Sequence, residues 1–188
     1  MKAKFVIILL IAGTAAACSD SGTEPSAPPA ATSTSSSRVP TVEEMSKQKA
    51  LEAYEGYWRV STAAEKAPRA KDWRPELGEY LVDPELTRHL AEIQNLASVP
   101  SHMEGDYHRS PMVSAVSLGD RDPRITITDC LDRTKVHLVS DKPGEGGRTL
   151  DNPDQPRRYE FRAEVVRYAS LNDRWLVQVV QPALDKPC

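Results

Sequence analysis

The sequence is poor in several residue types and patterns that mark particular protein classes. Only three cysteines occur in 188 residues, too few for a small scaffold held together by disulfides. The longest largely apolar stretch has 13 residues, short of the roughly 20 that a membrane-spanning helix needs. The 24 basic residues do not outnumber the 27 acidic ones, so the basic excess typical of nucleic-acid-binding proteins is missing. What remains is ordinary globular composition with about one domain's worth of residues.

The first 18 residues carry the clearest pattern in the chain. Lys2 and Lys4 begin a positive segment, and residues 5–17 form an apolar stretch with the length of a signal-peptide core. The stretch ends in an Ala-Ala-Ala-Cys motif at Cys18, which resembles a bacterial lipobox with alanine in place of the usual first leucine. The resemblance implies a diacylglyceryl group on the Cys18 thiol and cleavage just before it. The alternative is plain secretion with a free thiol.

Residues 18–40 are predicted to form a flexible tether. They consist mainly of Ser, Thr, Pro and Ala, and such a segment cannot bury enough surface to offset the entropy of ordering it. The predicted organisation is therefore a lipoprotein signal peptide over 1–17, the lipidated Cys18 with its tether over 18–40, and one folded domain over 41–188. It predicts a lipid-anchored protein on the outer face of the bacterial cytoplasmic membrane, in the cell envelope, where the acyl chains alone provide the anchor.

The folded domain starts with helical patterns. The sequence Thr-Val-Glu-Glu over 41–44 has the form of a capping box and predicts a helix over 42–66, with an apolar face formed by Met45, Leu51, Tyr54, Trp58 and Ala64. A short helical turn is expected after Pro75. The sequence Asp-Pro-Glu over 83–85 predicts a second helix with proline at its first position, which ends before Pro100.

From residue 105 the apolar residues alternate with polar ones. This spacing predicts strands over 112–116, 124–130, 135–139, 159–165 and 175–180. We expect the third of these to pair with the second across a turn at 132–134, and residues 141–156 to form a long exposed loop. Helices followed by antiparallel strands indicate an α+β fold.

This order of elements resembles the NTF2-like (SnoaL-like) domain of small exported actinobacterial lipoproteins. The resemblance covers about residues 45–182 and rests on the two helices, the strand end Ile-Thr-Asp-Cys-Leu-Asp over 127–132 and the final strand around 175–177. It implies a cone, with the helices packed in the concave face of a bent antiparallel sheet. The apolar side chains expected to face the sheet and to fill much of the cone are Tyr54, Tyr57, Trp58, Leu90 and Ile93. Because this superfamily includes isomerases, dehydratases and binding domains, the fold alone does not select a function.

Two cysteines, Cys130 and Cys188, belong to the folded domain. If Cys18 is acylated they are the only thiols left, and an exported compartment allows them to pair. We expect an intramolecular bridge that holds the C-terminus to the sheet. Two free thiols, or pairing with another chain, are the alternatives.

No metal or cofactor is predicted, because no motif for either occurs. None of the four histidines, His89, His102, His108 and His137, has metal-ligand spacing, and each is expected to be structural or solvated. The glycine-rich residues 143–147 lack the Lys-Ser/Thr that follows a phosphate-binding loop, and no nucleophile motif is present.

Asp129 is the one candidate for a buried carboxylate in the sheet. It lies in phase with Ile125 and Ile127, which would direct it into the cone, and an NTF2-like enzyme pairs such an acid with a tyrosine or histidine. We favour the plainer interpretation that Asp129 and Asp132 are hairpin residues bonded to turn amides.

Two functions follow from these patterns. The first is a non-catalytic module that binds a small ligand or an envelope protein at the mouth of the cone or on the outer face of the sheet, with Tyr54, Trp58, Leu90, Ile93 and Asp129 lining the cone. The second is a small exported isomerase or hydrolase that uses Asp129 with a tyrosine or histidine. Whether the cone contains an open cavity with at least two convergent polar side chains is the observation that would separate the two functions, because the enzyme needs an inward acid–base pair.

Overall fold

The computed structural model describes residues 38–188, so the predicted signal peptide, Cys18 and most of the predicted tether lie outside the described residues. Three helices precede six strands, which confirms the α+β prediction. The helices are α1 (Val42–Lys66), α2 (Arg74–Leu77) and α3 (Glu85–Ser98). The strands are β1 (Ser101–Glu104), β2 (Met112–Ser117), β3 (Arg124–Asp132), β4 (His137–Ser140), β5 (Arg158–Tyr168) and β6 (Arg174–Ala183). Over this part of the chain, none of the helices combines the length and apolar character that crossing a bilayer requires.

Helix α1 has the predicted bounds and the predicted capping box. The Thr41 hydroxyl accepts a hydrogen bond from the Glu44 N–H at 3.2 Å, and the Glu44 carboxylate accepts one from the Thr41 N–H at 2.6 Å. The buried face begins at Ser46 and continues through Ala50. Met45, which we expected on this face, is 44% exposed because it lies about 100° around the helix from Ser46.

Helix α3 begins one residue later than predicted. Pro84 is its N-cap, and the Asp83 carboxylate accepts hydrogen bonds from the backbone N–H and the hydroxyl of Thr87. The side chain of Glu85 is only 3% exposed, and burial raises its pKa. It pairs with Arg88 and accepts a bond from the Val180 N–H at 3.3 Å, so α3 is tied to β6.

The main sheet is antiparallel with the strand order β2-β3-β5-β6. Helix α1 packs against all four strands, and α3 packs against β6. Bulges interrupt the register in β2 after Val113 and between Glu164 and Val165 in β5, and bulges of this kind bend and twist a sheet. The buried side chains that the sheet contributes to the core are Ile125, Ile127, Leu131, Tyr159, Phe161, Ala163, Val165, Trp175, Val177 and Val180.

The predicted pairing of residues 135–139 with β3 is wrong. Both edges of β3 are occupied, one by β2 and the other by β5. At the end of β3 the Asp132 carboxylate accepts bonds from the Thr134 N–H at 2.8 Å and hydroxyl at 2.7 Å, and the chain turns away. Strand β4 pairs instead with β1, which the alternation did not predict, and the two form a separate two-stranded sheet.

The expected disulfide between Cys130 and Cys188 is present. The two Cα atoms lie 5.7 Å apart, and 58 positions separate the residues in sequence. The bond joins the last residue of the chain to β3, an inner strand of the main sheet. It therefore holds the C-terminal residues that follow β6 against the sheet.

Replacing both cysteines (Cys130→Ser with Cys188→Ser) should lower the free energy of unfolding by about 4 kcal/mol, because the unfolded chain loses a crosslink that closes a long loop. Urea denaturation followed by circular dichroism measures this difference. The wild-type protein in excess reductant is the control and should match the double variant. A double variant as stable as the oxidised wild type would contradict the argument.

Candidate functional site

A cavity of about 320 Å³ lies between α1, α3 and the inner face of the main sheet, where β3 and β6 end and β5 begins. Aromatic and aliphatic side chains form half of its lining, and polar side chains from both helices and from the loops form the other half. The apolar part consists of Tyr57, Trp58, Leu131, Tyr159, Phe161, Val180 and Pro182. The polar part consists of Glu65, Arg88, His89, Glu92, Tyr107, Arg133 and Gln155.

Glu65 and Tyr107 form a hydrogen-bonded pair at this cavity. The Tyr107 hydroxyl donates to Glu65 Oε2 at 2.9 Å. Burial raises the pKa of Glu65, although His89 and the Tyr107 hydrogen bond lower it. Burial and the adjacent Glu65 charge also raise the pKa of Tyr107, so the phenol keeps its proton at neutral pH. The pair therefore offers a fixed hydroxyl donor and a carboxyl group that binds a proton more readily than usual.

His89 lines the cavity from α3 with a side chain that is only 3% exposed. Its ring packs edge-on against Tyr57, with 5.8 Å between ring centroids, and its Nδ1 lies 3.2 Å from Glu92 Oε2. Within the described part of the chain, Nε2 has no hydrogen-bond partner. A buried ring nitrogen without a partner costs free energy, and a polar group on a bound ligand would remove that cost.

Arg133 lines the cavity from the turn after β3. Its guanidinium lies beside the Tyr159 hydroxyl and lowers the pKa of that phenol, although the larger effect of burial raises it. The Arg133 Nε is buried and has no hydrogen-bond partner among residues 38–188. The cavity is therefore lined by three residues, Trp58, His89 and Arg133, that have buried nitrogen atoms without a hydrogen-bond partner in the described protein.

Asp129 occupies a different place from the one we favoured. It is an interior residue of β3 and is 1% exposed, so the hairpin interpretation is wrong for Asp129, although it is confirmed for Asp132. The Tyr54 hydroxyl donates to Asp129 Oδ2 at 2.9 Å, and the Ser110 N–H donates to Oδ1 at 2.6 Å. Burial raises the pKa of Asp129. The alternation of Asp129 with Ile125 and Ile127 in the sequence therefore correctly indicated a buried side chain.

The Tyr54–Asp129 pair is closed off from the cavity. The Arg109 guanidinium lies over the rings of Tyr54 and Trp58, 5.7 and 5.3 Å from their centroids, and pairs with Glu55 on the helix surface. Both carboxylate oxygens of Asp129 already accept hydrogen bonds. The pair thus joins α1, β3 and the segment before β2, and its carboxylate does not line the cavity.

Some of the side chains predicted to line the cone line the cavity, and others lie in the hydrophobic core. Trp58 lines the cavity, whereas Tyr54, Leu90 and Ile93 are buried in the hydrophobic core. Sequence reasoning missed Glu65 as a cavity residue, although it lies seven positions after Trp58 and therefore on the same face of α1. No comparable spacing marks Arg133, which comes from a turn.

The other histidines are structural or exposed, as expected. His102 Nδ1 lies 2.8 Å from Asp141, which also pairs with Arg69. His137 Nδ1 lies 2.7 Å from Asp151. These contacts hold the long loop to the two-stranded sheet. In the same described range, no cluster of three or more His, Cys, Asp or Glu side chains is arranged to hold a metal ion.

A larger open groove of about 690 Å³ runs along the outer side of α1 beside Tyr80. Over residues 38–188, it contains no buried polar side-chain atom without a partner. The smaller internal cavity is therefore the better candidate for a binding site, because its unpartnered nitrogens give a ligand something specific to bind.

Comparison with known proteins gives no family for the chain. No model of a known protein family matches it, and no curated protein matches it. Among solved structures, the intermembrane space region of the chloroplast protein ARC6 is similar with a TM-score of 0.49 at 15% identity, over 72% of this chain and 95% of that one. A de novo designed β-sheet protein gives a TM-score of 0.33 at 14% identity, over 74% of this chain and 91% of the design. Likenesses this low carry no argument about function.

Tyr54→Phe should lower the free energy of unfolding by about 2 kcal/mol, because it removes a hydrogen bond to a buried charged group and leaves Asp129 incompletely bonded. Chemical denaturation at pH 7 measures the change. Tyr80→Phe is the matched control: its hydroxyl accepts a bond from Arg59 at the surface, and its loss should cost less than about 0.5 kcal/mol. Equal effects of the two substitutions would show that the buried pair is not a structural link.

Proposed function

We propose that this protein is an exported, lipid-anchored, ligand-binding protein whose folded domain takes a small molecule into the internal cavity. The observation that carries the proposal is a group of buried nitrogens without a hydrogen-bond partner among residues 38–188, on Trp58, His89 and Arg133, around a cavity of about 320 Å³. Binding sites for small molecules are typically concave and mostly apolar, with a few polar groups that fix the ligand's orientation. The cavity is concave and offers such polar groups, and it is more polar than most sites of this kind, because seven of its 14 lining residues are polar.

The disulfide supports an extracytoplasmic location. Disulfides persist in oxidising compartments and are rare in the cytosol, where thiols are kept reduced. The Cys130–Cys188 bond therefore agrees with export directed by residues 1–17. It also leaves Cys18 as the one cysteine outside the bridge, free to receive the lipid that the lipobox-like motif predicts.

Kinship with NTF2-like domains is part of the proposal. It is supported by two helices packed on one face of a bulged, four-stranded antiparallel sheet, with a cavity beneath the helices. We expected the aromatic side chains of α1 to fill much of that space. Tyr57 and Trp58 instead form part of the wall of a cavity that remains.

Catalysis through Asp129 is the alternative function, and the geometry gives it little support. The expected partner is present, because Tyr54 donates to the Asp129 carboxylate. However, the carboxylate is 1% exposed and does not line the cavity. A general base must come within hydrogen-bond reach of the proton it removes, and this carboxylate has no such access. We therefore propose binding rather than turnover.

The lipid anchor is tested by changing Cys18. When the full chain is expressed in a bacterium that processes lipoproteins, the wild type should enter the detergent phase of a Triton X-114 partition and Cys18→Ser should stay in the aqueous phase. Cys188→Ser removes a different thiol and should partition like the wild type. A wild type found in the aqueous phase as fully as Cys18→Ser would disprove the anchor.

The binding function is tested by obstructing the cavity. Gln155 lines it from the long loop, whereas the adjacent Asp154 is exposed and does not. In ligand-observed NMR with a panel of small acids, amines, amides and alcohols, at least one compound should bind the wild type and Asp154→Trp but not Gln155→Trp. Binding that Gln155→Trp leaves intact would place the site elsewhere, and a panel with no binder would contradict the proposed function.

A further inference from the structure

The cavity contains one guanidinium that forms no ion pair within the described part of the protein, that of Arg133, although the charge of Glu65 in the same cavity acts on it. Arg133 lines the cavity, and its Nε is buried without a hydrogen-bond partner. No described carboxylate lies within the 4.0 Å that defines an ion pair with its guanidinium. The group beside it is the neutral phenol of Tyr159. A partly buried guanidinium next to a neutral hydroxyl retains most of its capacity to bind an anion.

The acidic side chains around the cavity already have partners. Arg88 pairs with both Glu85 and Glu92, and Glu92 Oε2 also lies 3.2 Å from His89 Nδ1, so each of these two carboxylates has a partner. Glu65 accepts the Tyr107 hydroxyl, and its burial disfavours the charged form. Among residues 38–188, the cavity nitrogens without a hydrogen-bond partner belong to Trp58, His89 and Arg133, and of these Arg133 carries the permanent positive charge that can pair with an anion.

The shape and lining of the cavity restrict the rest of the ligand. Its volume of about 320 Å³ lies near the lower end of the range for small-molecule sites, which is roughly 300–1,000 Å³. Trp58 lies at the centre of an aromatic group, with its ring centroid 5.1 Å from Tyr107 and 5.2 Å from Phe161. Aromatic walls of this kind favour offset or edge-on contact with another ring.

We propose that the cavity binds a small carboxylic acid with a single aromatic ring, whose carboxylate pairs with Arg133 and whose ring lies against the aromatic wall. The proposal rests on the ligand-binding function proposed above and adds the chemical class of the ligand. A guanidinium presents parallel N–H donors that match the two oxygens of a carboxylate. His89 Nε2 provides a second polar contact for a further oxygen on the ligand.

An amine that paired with Glu65 is the competing ligand, and the cavity selects against it. Tyr107 already donates to Glu65, so an ammonium group would have to share that carboxylate. The same ammonium would share the cavity with the Arg133 charge, which has no described counter-ion. Like charges in a site of low dielectric constant are strongly unfavourable.

Three probes with one carbon skeleton test the proposal: 3-phenylpropionate, 3-phenylpropionamide and 3-phenylpropylamine. Isothermal titration calorimetry with the purified protein at pH 7 should show that the acid binds at least ten times more tightly than the amide, and that the amine does not bind. Equal affinities for the acid and the amide, or tightest binding by the amine, would overturn the inference while leaving a ligand-binding cavity in place.

The Arg133→Gln variant should bind the acid no more tightly than the amide. If the variant binds the amide as tightly as the wild type does, its cavity is intact. Arg162→Gln removes the same charge from an exposed position of β5 and should leave all three affinities unchanged. A variant lacking Arg133 that still prefers the acid would overturn the inference. So would failure of all three probes to bind the wild type, whereas the broader NMR panel decides separately whether the cavity binds any ligand.

Discussion

The hydrogen bond between Tyr54 and Asp129 fixes where the longest helix lies on the sheet. Burying a carboxylate is costly unless its oxygens are bonded, so the middle of α1 must meet β3 at this point. Tyr57 and Trp58 follow one turn later, and Glu65 lies about 16 Å further along the axis from Tyr54. The α1 wall of the cavity is thus placed by a contact that takes no part in binding.

Most of the buried polar groups in this fold have protein partners, and three of the five residues in the described chain that keep a buried polar atom without one line the cavity. Glu85 joins Arg88 and the backbone of β6, and Asp129 joins Tyr54 and the backbone before β2. At the cavity, by contrast, His89 and Arg133 keep unbonded nitrogens. Proteins tolerate incomplete bonding chiefly where function requires it. Buried groups such as Asp129, whose hydrogen bonds the protein provides, therefore have a structural role. Those of His89 and Arg133, whose hydrogen bonding is incomplete, mark the candidate site.

Local patterns in the sequence predicted local structure well. The capping box placed the start of α1, and cysteine parity favoured the bridge that the structure contains. The pairing of strands distant in sequence was harder to predict. A turn at 132–134 suggests a hairpin between β3 and the next strand, but in the folded chain β5 occupies that edge of β3. The cavity was partly predictable: Glu65 lies on the buried face of α1 beside Trp58. Arg133 comes from a turn with no periodicity, so only the folded structure brings it to the site.

The disulfide also determines what happens when the exposed loop is cut. The ring that it closes runs from Cys130 to Cys188 and contains β4, the loop over 141–157, β5 and β6. A protease that cleaves one bond in that loop opens the ring but leaves the two fragments covalently joined. Strands β5 and β6 then stay attached to the half of the chain that carries the helices and the predicted anchor. A single cut in this loop would therefore release neither fragment.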